Sequence, residues 1–354
     1  MAYTTIDDPT IYFNTVLYTG DASSPRTISG VGFSPDLVWC KNRTTANDNR
    51  LVDQVRGANK EMSSNRTLAE YSDNSDGNLT SFNSDGFVIT EGSSNINNWN
   101  KDTDSYVAWC WKASGSTASN GSGDITSTVS ANTTAGFSIV SYTGDAVYPS
   151  TVGHGLGSAP SVVITKQSSA GTYSWNSYHA GLGNTYYIAL ETTSAADNSV
   201  DCWNSTSPTS SVFTINAIAV NTSGVDFIAY CFAEKQGFSK FDTFTGNGNA
   251  DGPFIYTGFK PAYLLLKQSS ASGEDWVVQD NKRDTFINPV DANLYASANN
   301  AEVSGYRYCD FNANGFKIRN SLTDYNQSGA TYIYMAFAEA PFVTGSNGVP
   351  CNAR

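Results

Sequence analysis

Hydrophobic residues along this chain fall in short runs with the spacing of β-strands rather than of helices. The most apolar runs cover residues 106–111, 227–232 and 332–337. Alternate side chains of a strand point to opposite faces, so each run presents large side chains on one face and smaller ones on the other. We therefore predict three central strands covered on both faces. The large sets are Val107, Trp109 and Trp111; Ile228, Tyr230 and Phe232; Ile333, Met335 and Phe337.

A fixed order of landmarks recurs three times before these runs. Each copy has an aromatic residue followed by Thr-Gly and Asp or Asn, then a Pro, a Lys six residues after the Pro, and a Phe that enters another strand. Pro is tolerated where a strand begins, and we expect the Lys side chains to blunt a sheet edge or to extend from the core to solvent. The landmarks are Tyr18-Thr19-Gly20-Asp21, Pro35, Lys41 and Phe87; Tyr142-Thr143-Gly144-Asp145, Pro160, Lys166 and Phe213; Phe244-Thr245-Gly246-Asn247, Pro261, Lys267 and Phe316.

This pattern predicts an all-β protein of three tandem β-sandwich repeats of jelly-roll type. Helical periodicity is weak even in its best stretch, residues 52–71. The predicted domains are repeat 1 at 1–113, repeat 2 at 136–234, and repeat 3 with a C-terminal tail at 235–354. Residues 114–135 are rich in Ser, Thr and Gly and predict a flexible or extended linker.

The charge pattern narrows the range of partners. The 354 residues carry a net charge of −12 with only 20 Lys and Arg, which argues against nucleic acid and against an anionic membrane surface. No apolar run is long enough to span a bilayer, and the polar start of the chain does not resemble a secretory signal. Cys40, Cys110 and Cys231 lie in apolar runs and are predicted to be small buried hydrophobes.

Several segments resemble proteins of marine bacteriophages that are described as virion or tail-fibre-associated. They are residues 1–9, the repeated Tyr-Thr-Gly element, residues 33–39, residues 332–342 and the closing Ala353-Arg354. The resemblance covers essentially the whole chain and transfers no catalytic residue. It implies a structural protein on the virion surface, made in the host bacterial cytoplasm and surrounded by other virion proteins.

Candidate catalytic groups are few, and we predict no catalytic, cofactor-binding or metal site. His154 and His179 have no counterpart in the other copies and are predicted to be turn or surface residues. The carboxylate pairs Asp53 with Glu70, and Glu274 with Asp280, are the ones that a depolymerase could use, but solvated loop acids are the favoured interpretation. The segment 247–252 resembles half of a calcium loop without its closing Glu, and is predicted to be an Asx-rich turn.

Trp99 and Trp203 lie in polar loops and are the candidate glycan contacts, although a loop Trp can also plug the end of a sandwich. The leading hypothesis is a phage structural protein: a tail or head fibre subunit or a capsid decoration, with a role in host adhesion. A lectin-like adhesin that binds host surface glycan is the alternative, and a polysaccharide depolymerase comes third. Final strands that are apolar on both faces suggest extra covering by neighbours, which favours a homo-oligomer, with a trimer first.

Overall fold

A computed structural model describes residues 2–72, 74–93, 99–284, 288–345 and 348–352 of the chain. Its regular structure is almost entirely antiparallel β-sheet, which confirms the all-β prediction. Met1 and the closing Ala353-Arg354, which contribute to the phage resemblance, lie outside the described residues. The helical elements are two 3-10 turns, Pro9–Ile11 and Asn74–Asp76, and one short α-helix in the third unit. No helix in the described ranges is long and apolar enough to cross a membrane.

Unit 1 packs a four-stranded sheet in the order β1-β7-β3-β4 against a three-stranded sheet in the order β2-β6-β5. The apolar run 106–111 lies in β7 at the centre of the first sheet, as predicted from its two apolar faces. The strands are β1 Phe13–Thr19, β2 Arg26–Ser29, β3 Leu37–Asn42, β4 Arg50–Asp53, β5 Leu79–Asn83, β6 Gly86–Ile89 and β7 Ser105–Trp111.

Unit 2 contains the same order, β10-β17-β12-β13, within a larger eight-stranded sheet, and β11 pairs with β16 in a second sheet. The strands are β8 Ala118–Asn120, β9 Ser127–Asn132, β10 Phe137–Thr143, β11 Ser150–Gly153, β12 Val162–Gln167, β13 Asn176–His179, β14 Tyr186–Ala189, β15 Asp197–Asn198, β16 Val212–Ile215 and β17 Asp226–Phe232.

Unit 3 repeats the order as β18-β25-β20-β21, with β22 added at the edge, and packs it against β19-β24-β23. The elements are β18 Ser239–Thr245, β19 Phe254–Tyr256, β20 Phe259–Gln268, β21 Val277–Asp280, β22 Leu294–Tyr295, β23 Cys309–Asn312, β24 Gly315–Ile318, the helix α1 Thr323–Asn326, and β25 Thr331–Pro341.

The residues that pair across the central strands are equivalent in the three units. Each landmark Pro stands two residues before the residue that pairs with the last large side chain of the central strand. The pairs are Leu37 with Trp111, Val162 with Phe232, and Tyr263 with Phe337. The landmark spacing read from the sequence thus corresponds to one register used three times.

The predicted linker does not behave as a flexible connector. Residues 114–135 include β8 and β9, and β9 pairs with β10 from Ser141 back to Phe137. These two strands extend the large sheet of unit 2 at its β10 edge. A sequence rich in Ser and Thr can occupy such a position because an edge strand needs backbone pairing and only a few buried side chains, here Ser127, Val129 and Ser130.

The four-stranded cores of all three units bury their large faces in one shared hydrophobic core. The nine large side chains of the central strands named above all belong to it, and each is at most 5% exposed. Phe13 stacks on Phe337 with ring centroids 5.2 Å apart, and Trp111 meets Phe232 at 6.4 Å, so rings from different units are in direct contact. The smaller faces, with Cys40, Cys110 and Cys231, lie in separate sandwich cores inside each unit. The buried cysteine prediction is confirmed.

Buried polar contacts join the units across the shared core. Asp53 at the end of β4 accepts a hydrogen bond from the Tyr230 hydroxyl of unit 2 at 2.8 Å and from Arg56 at 2.6 Å. Asp280 at the end of β21 accepts one from the Trp109 indole N–H of unit 1 at 3.0 Å. Tyr230 and Trp109 hold equivalent positions in their central strands. Asp53 and Asp280 are equivalent as well, so the same contact occurs twice, between different pairs of units.

Unit 2 has a histidine where the other two units have these aspartates. His179 pairs with Val162 in the same register as Asp53 with Leu37, and its Nε2 donates to the Tyr334 carbonyl oxygen of unit 3 at 3.2 Å. Burial lowers the pKa of His179 to about 4, so the imidazole is neutral at neutral pH. The three contacts run from unit 1 to 2, from 2 to 3 and from 3 to 1, which makes a closed ring.

The three landmark lysines are buried on β3, β12 and β20, the strands that pair with the central strands, and neither blunt an edge nor reach solvent as predicted. Lys41, Lys166 and Lys267 are at most 1% exposed. The Lys41 Nζ donates to the carbonyl oxygen of Asn299 in unit 3 at 2.9 Å. The Lys267 Nζ donates to that of Glu274 at 2.7 Å. Burial lowers the pKa of each lysine from 10.5 to about 8. Amines in this position hold loops by bonding backbone carbonyls.

Candidate functional site

An open pocket at one end of unit 3 brings aromatic rings and carboxylates together. Its volume is about 240 Å³. The lining is made of three tyrosines, two acids and three other side chains: Tyr295, Tyr306, Tyr308, Glu274, Asp324, Val303, Leu322 and Thr323. The lining contains no Lys, Arg or His, so its only charged side chains are the two carboxylates.

Tyr306 is the exposed aromatic of this pocket and is 53% exposed. The loop that carries it is fixed by Asp291, whose carboxylate accepts the backbone N–H groups of Gly305 at 2.7 Å and of Tyr306 and Arg307 at 2.8 Å each. The centroid of the Tyr306 ring lies 5.9 Å from that of buried Tyr308, with an angle of 35° between the ring planes. The exposed ring is thus held in place before any ligand arrives.

The acidic side of the pocket is held just as firmly. The backbone of Glu274 is bonded by the buried Lys267 amine at 2.7 Å. Asp324 lies on α1, where its neighbour Tyr325 stacks on Tyr308 with centroids 4.6 Å apart. Burial, followed by the negative charge of Glu274, raises the pKa of Asp324 to about 6. Above that pH Asp324 is ionised and its carboxylate accepts hydrogen bonds.

A second pocket, of about 200 Å³, lies at the equivalent place in unit 1. In unit 1 Leu51 bridges Met62 and Glu61 bridges Tyr71; in unit 3 Val278 pairs with Leu294 and Asn293 bridges Val303. Each pocket therefore lies beside the same two backbone pairs, which hold equivalent positions in units 1 and 3. The unit 1 pocket is lined by Asp48, Arg50, Ser63, Arg66, Leu68, Tyr71 and Asp76.

The charges of the unit 1 pocket already neutralise one another. Arg66 contacts Asp48 at 2.8 Å, and Arg50 lies 3.6 Å from Asp76. The Arg50 guanidinium lies over the Tyr71 ring, 5.0 Å from its centroid. A ligand here would have to displace existing ion pairs, whereas Tyr306 of the unit 3 pocket already has an exposed face.

The candidate glycan contacts Trp99 and Trp203 are both in the wrong place for that role. Trp99 is 0% and Trp203 2% exposed, so neither has a face that a sugar could reach. Trp99 donates its indole N–H to Glu61, and Trp203 packs on Tyr178 with centroids 6.0 Å apart. Both plug a sandwich core, because a large ring buried there contributes more than one left in a polar loop.

The two histidines are buried, and the prediction of surface residues is wrong for both. His154 Nε2 donates to the Thr209 carbonyl oxygen at 3.1 Å, and its Nδ1 accepts the Leu156 N–H at 3.2 Å. His154 thus closes a turn, in line with the other part of that prediction. Burial lowers the pKa of His154 below its ordinary value, as it does for His179.

Of the four acids considered for a depolymerase, Asp53 and Asp280 are buried, whereas Glu70 and Glu274 lie in loops and are partly exposed. Asp53 and Glu70 lie on either side of Arg56, at 2.6 and 3.6 Å, with Asp53 buried. Asp280 is also buried: although burial opposes its ionisation, Arg283 at 2.6 Å holds its pKa below the ordinary value. Asp280 is therefore bound to Arg283 in the shared core, and the acid that shares a pocket with Glu274 is Asp324.

The segment 247–252 forms the Asx-rich turn that was predicted. The Asn247 side chain accepts the Asn249 N–H, and the Asn249 side chain accepts the Asp251 N–H, both at 2.9 Å. Asp251 is bonded to Lys317 at 2.9 Å. Among the described residues no group of three His, Cys, Asp or Glu side chains is arranged to hold a metal ion.

Sequence reasoning missed the tyrosine pocket because its lining comes from four separate loops and strands. Glu274, Tyr295, Tyr306 and Asp324 are spread over fifty residues of unit 3 and share no short motif. The one local signal was the spacing of Tyr306 and Tyr308 beside several acids. That signal could have been found only by asking which loops differ most between units.

Comparison with known families gives one match. A family model described as a domain of unknown function, DUF7483, matches residues 8–341, and the chain belongs to this family. The match spans all three units, so the family is defined by the whole ring of units rather than by one of them. No curated protein matches the chain. No solved structure matches it either.

Proposed function

We propose that this member of the DUF7483 family is a structural component of a virus particle, displayed on the particle surface beside other virion proteins. The observation that carries the proposal is the shared core: three units of one chain bury their large faces against one another. Such a body covers the large faces of its central strands within one chain. The resemblance to phage virion proteins points the same way.

The composition of the surface supports a role outside the cell. Charged residues make up 15% of the chain, well below the usual quarter, and Ser, Thr, Asn and Gly cover much of the rest. A surface of this kind suits a protein that is assembled in the bacterial cytoplasm and released on a particle. A tail fibre, a head fibre and the capsid surface are the candidate locations, and labelling of intact particles distinguishes them.

The test is to locate the protein on intact particles. Purified virions of the phage that encodes the chain are labelled with a gold-conjugated antibody raised against the purified protein, and the same particles are analysed by mass spectrometry. We expect label at one defined place and peptides in a fixed ratio to the major capsid protein. Particles that lack both would overturn the proposal.

A host-adhesion role is the second candidate, and the tyrosine pocket of unit 3 favours it. An exposed aromatic ring that shares an open pocket with two carboxylates is suited to binding. We infer binding rather than hydrolysis because Asp53 and Asp280, one acid of each pair first considered for catalysis, are buried and paired with arginines. Reducing ends released from host polysaccharide, and lost in Glu274→Gln, would contradict this.

A further inference from the structure

The tyrosine pocket has the features of a site for one sugar ring. Its volume of about 240 Å³ is below the roughly 300–1,000 Å³ of sites for drug-sized ligands. The exposed face of Tyr306 offers a flat apolar surface to the C–H groups of a pyranose. Leu322, which is 37% exposed, widens the apolar part of the wall.

The polar part of the pocket determines which sugars it accepts. Carboxylates of Glu274 and Asp324 accept hydrogen bonds from hydroxyl groups, and bonds to a charged acceptor are the stronger ones. The absence of any cation from the lining means that a carboxylate or phosphate on the ligand would meet only negative charge. Uronic acids and phosphorylated sugars are therefore disfavoured.

The position of the pocket is an independent reason to regard it as a ligand site. The equivalent place in unit 1 is also open, although its wall carries paired arginines and acids. Units 1 and 3 therefore both have an open pocket at this equivalent place, although different side chains line it. In unit 3 the wall holds the exposed ring of Tyr306, which packs on the ring of Tyr308.

We propose that the pocket formed by Tyr295, Tyr306, Tyr308, Glu274 and Asp324 binds a saccharide unit that carries no acidic group. Tyr306 stacks on the sugar ring, and the two carboxylates accept its hydroxyl protons. This deepens the adhesive part of the proposed function by naming the ligand class. It does not depend on where the chain sits on a particle.

The experiment uses the purified full chain and saturation-transfer difference NMR. The probes are the methyl glycosides of glucose, galactose, mannose and N-acetylglucosamine, with methyl glucuronide as the acidic comparison. We expect transfer to ring protons of at least one neutral sugar and none to the glucuronide. The Tyr306→Ala chain is expected to lose that transfer, and Glu274→Gln to weaken binding at least tenfold.

Tyr256→Ala is the matched control, because Tyr256 is 55% exposed and lies on β19, outside the pocket lining. It is expected to bind as the unaltered chain does. No transfer to any neutral sugar, or equal transfer in the Tyr306→Ala chain, overturns the proposal. Either result leaves the particle-labelling experiment unaffected, so the two proposals fail separately.

Discussion

Each unit carries one fully buried asparagine whose side chain closes the loop after its first strand. In unit 3 the Asn326 amide donates to Asn247 Oδ1 at 2.9 Å and to the Asn249 carbonyl at 2.7 Å, while its Oδ1 accepts the Asn247 N–H at 2.8 Å. Asn221 makes the same three contacts with residues 145 and 147, and Asn100 with residues 21 and 23.

This asparagine explains the Thr-Gly landmark. A Cβ on Gly144 would run into the carbonyl oxygen of Thr222, the residue after Asn221, and Gly20 and Gly246 face the same obstacle. The glycine allows the backbone to approach closely, and the asparagine then bonds the loop. Both parts of the loop are therefore needed for it to close.

We expect Asn326→Ala to lower the free energy of unfolding by about 2–3 kcal/mol, because it leaves buried backbone groups without partners. The measurement is urea unfolding followed by tryptophan fluorescence. Asn300→Ala is the matched control, since Asn300 is exposed in the same unit, and it should change the value by less than about 0.5 kcal/mol. Equal effects of the two substitutions would contradict the role given to Asn326.

The sequence revealed half of this loop and not the other half. Thr-Gly was recognisable because three adjacent residues repeat, whereas the asparagine stands alone, six residues before the aromatic that opens the last strand. Trp99, Val220 and Tyr325 precede the three asparagines and share only bulk and burial. A single asparagine that recurs in three otherwise different loops cannot be distinguished from a solvated asparagine until the groups that it bonds are known.

At the scale of elements, the central strands do two tasks with their two faces. The alternation of large and small side chains predicted that both faces are covered, and they are. The sequence does not indicate what covers the large face, because a run of large apolar residues can pack against the same chain or against another one. Lys41 was misjudged for the same reason, because one of its carbonyl partners, Asn299, lies in a distant loop of unit 3.

The contacts between units offer a direct test of the shared core. We expect Trp109→Ala to cost about 3–5 kcal/mol, because it removes a fully buried ring and one donor to Asp280. Tyr230→Phe removes only the hydroxyl bonded to Asp53 and should cost about 1–2 kcal/mol. Chemical denaturation of both variants checks the two values. A loss below about 1 kcal/mol for Trp109→Ala would exclude a shared core of this kind.

The buried lysines predict an alkaline gain in stability. Lys166 has a pKa of about 8 in the fold and 10.5 ordinarily, so between these values the unfolded chain holds a proton that the folded chain has released. The contribution of this lysine to stability therefore rises with pH over this window. Buried cysteines from about pH 9 and buried tyrosines from about pH 10 oppose it, because burial raises the pKa of both groups.

Urea midpoints between pH 8 and 10 measure this slope. We expect Lys166→Met to flatten it, because the side chain keeps its length and loses its proton. Lys101→Met is the control, since 42% of the Lys101 side chain is exposed. If the slope is the same in Lys166→Met as in the unaltered chain, the buried amine is not its source.

At the scale of the whole molecule, the ring of units supplies within one chain the covering for which we first expected three chains. We now expect a monomer in light scattering, and a single heat-capacity peak whose calorimetric and van't Hoff enthalpies agree, because no unit can keep its large face buried alone. Three separate peaks, or a calorimetric enthalpy well above the van't Hoff value, would mean that the units unfold independently.

The closed ring also frees each unit to change by itself. In an assembly of identical chains, every substitution appears three times and every interface must tolerate it. Here the position held by Asp53 and Asp280 has become His179 at one interface only, and one pocket is lined by arginines while its equivalent is lined by tyrosines. A substitution in one unit thus changes one of three equivalent sites and leaves the other two unaltered. The pockets can therefore diverge in sequence faster than the shared core.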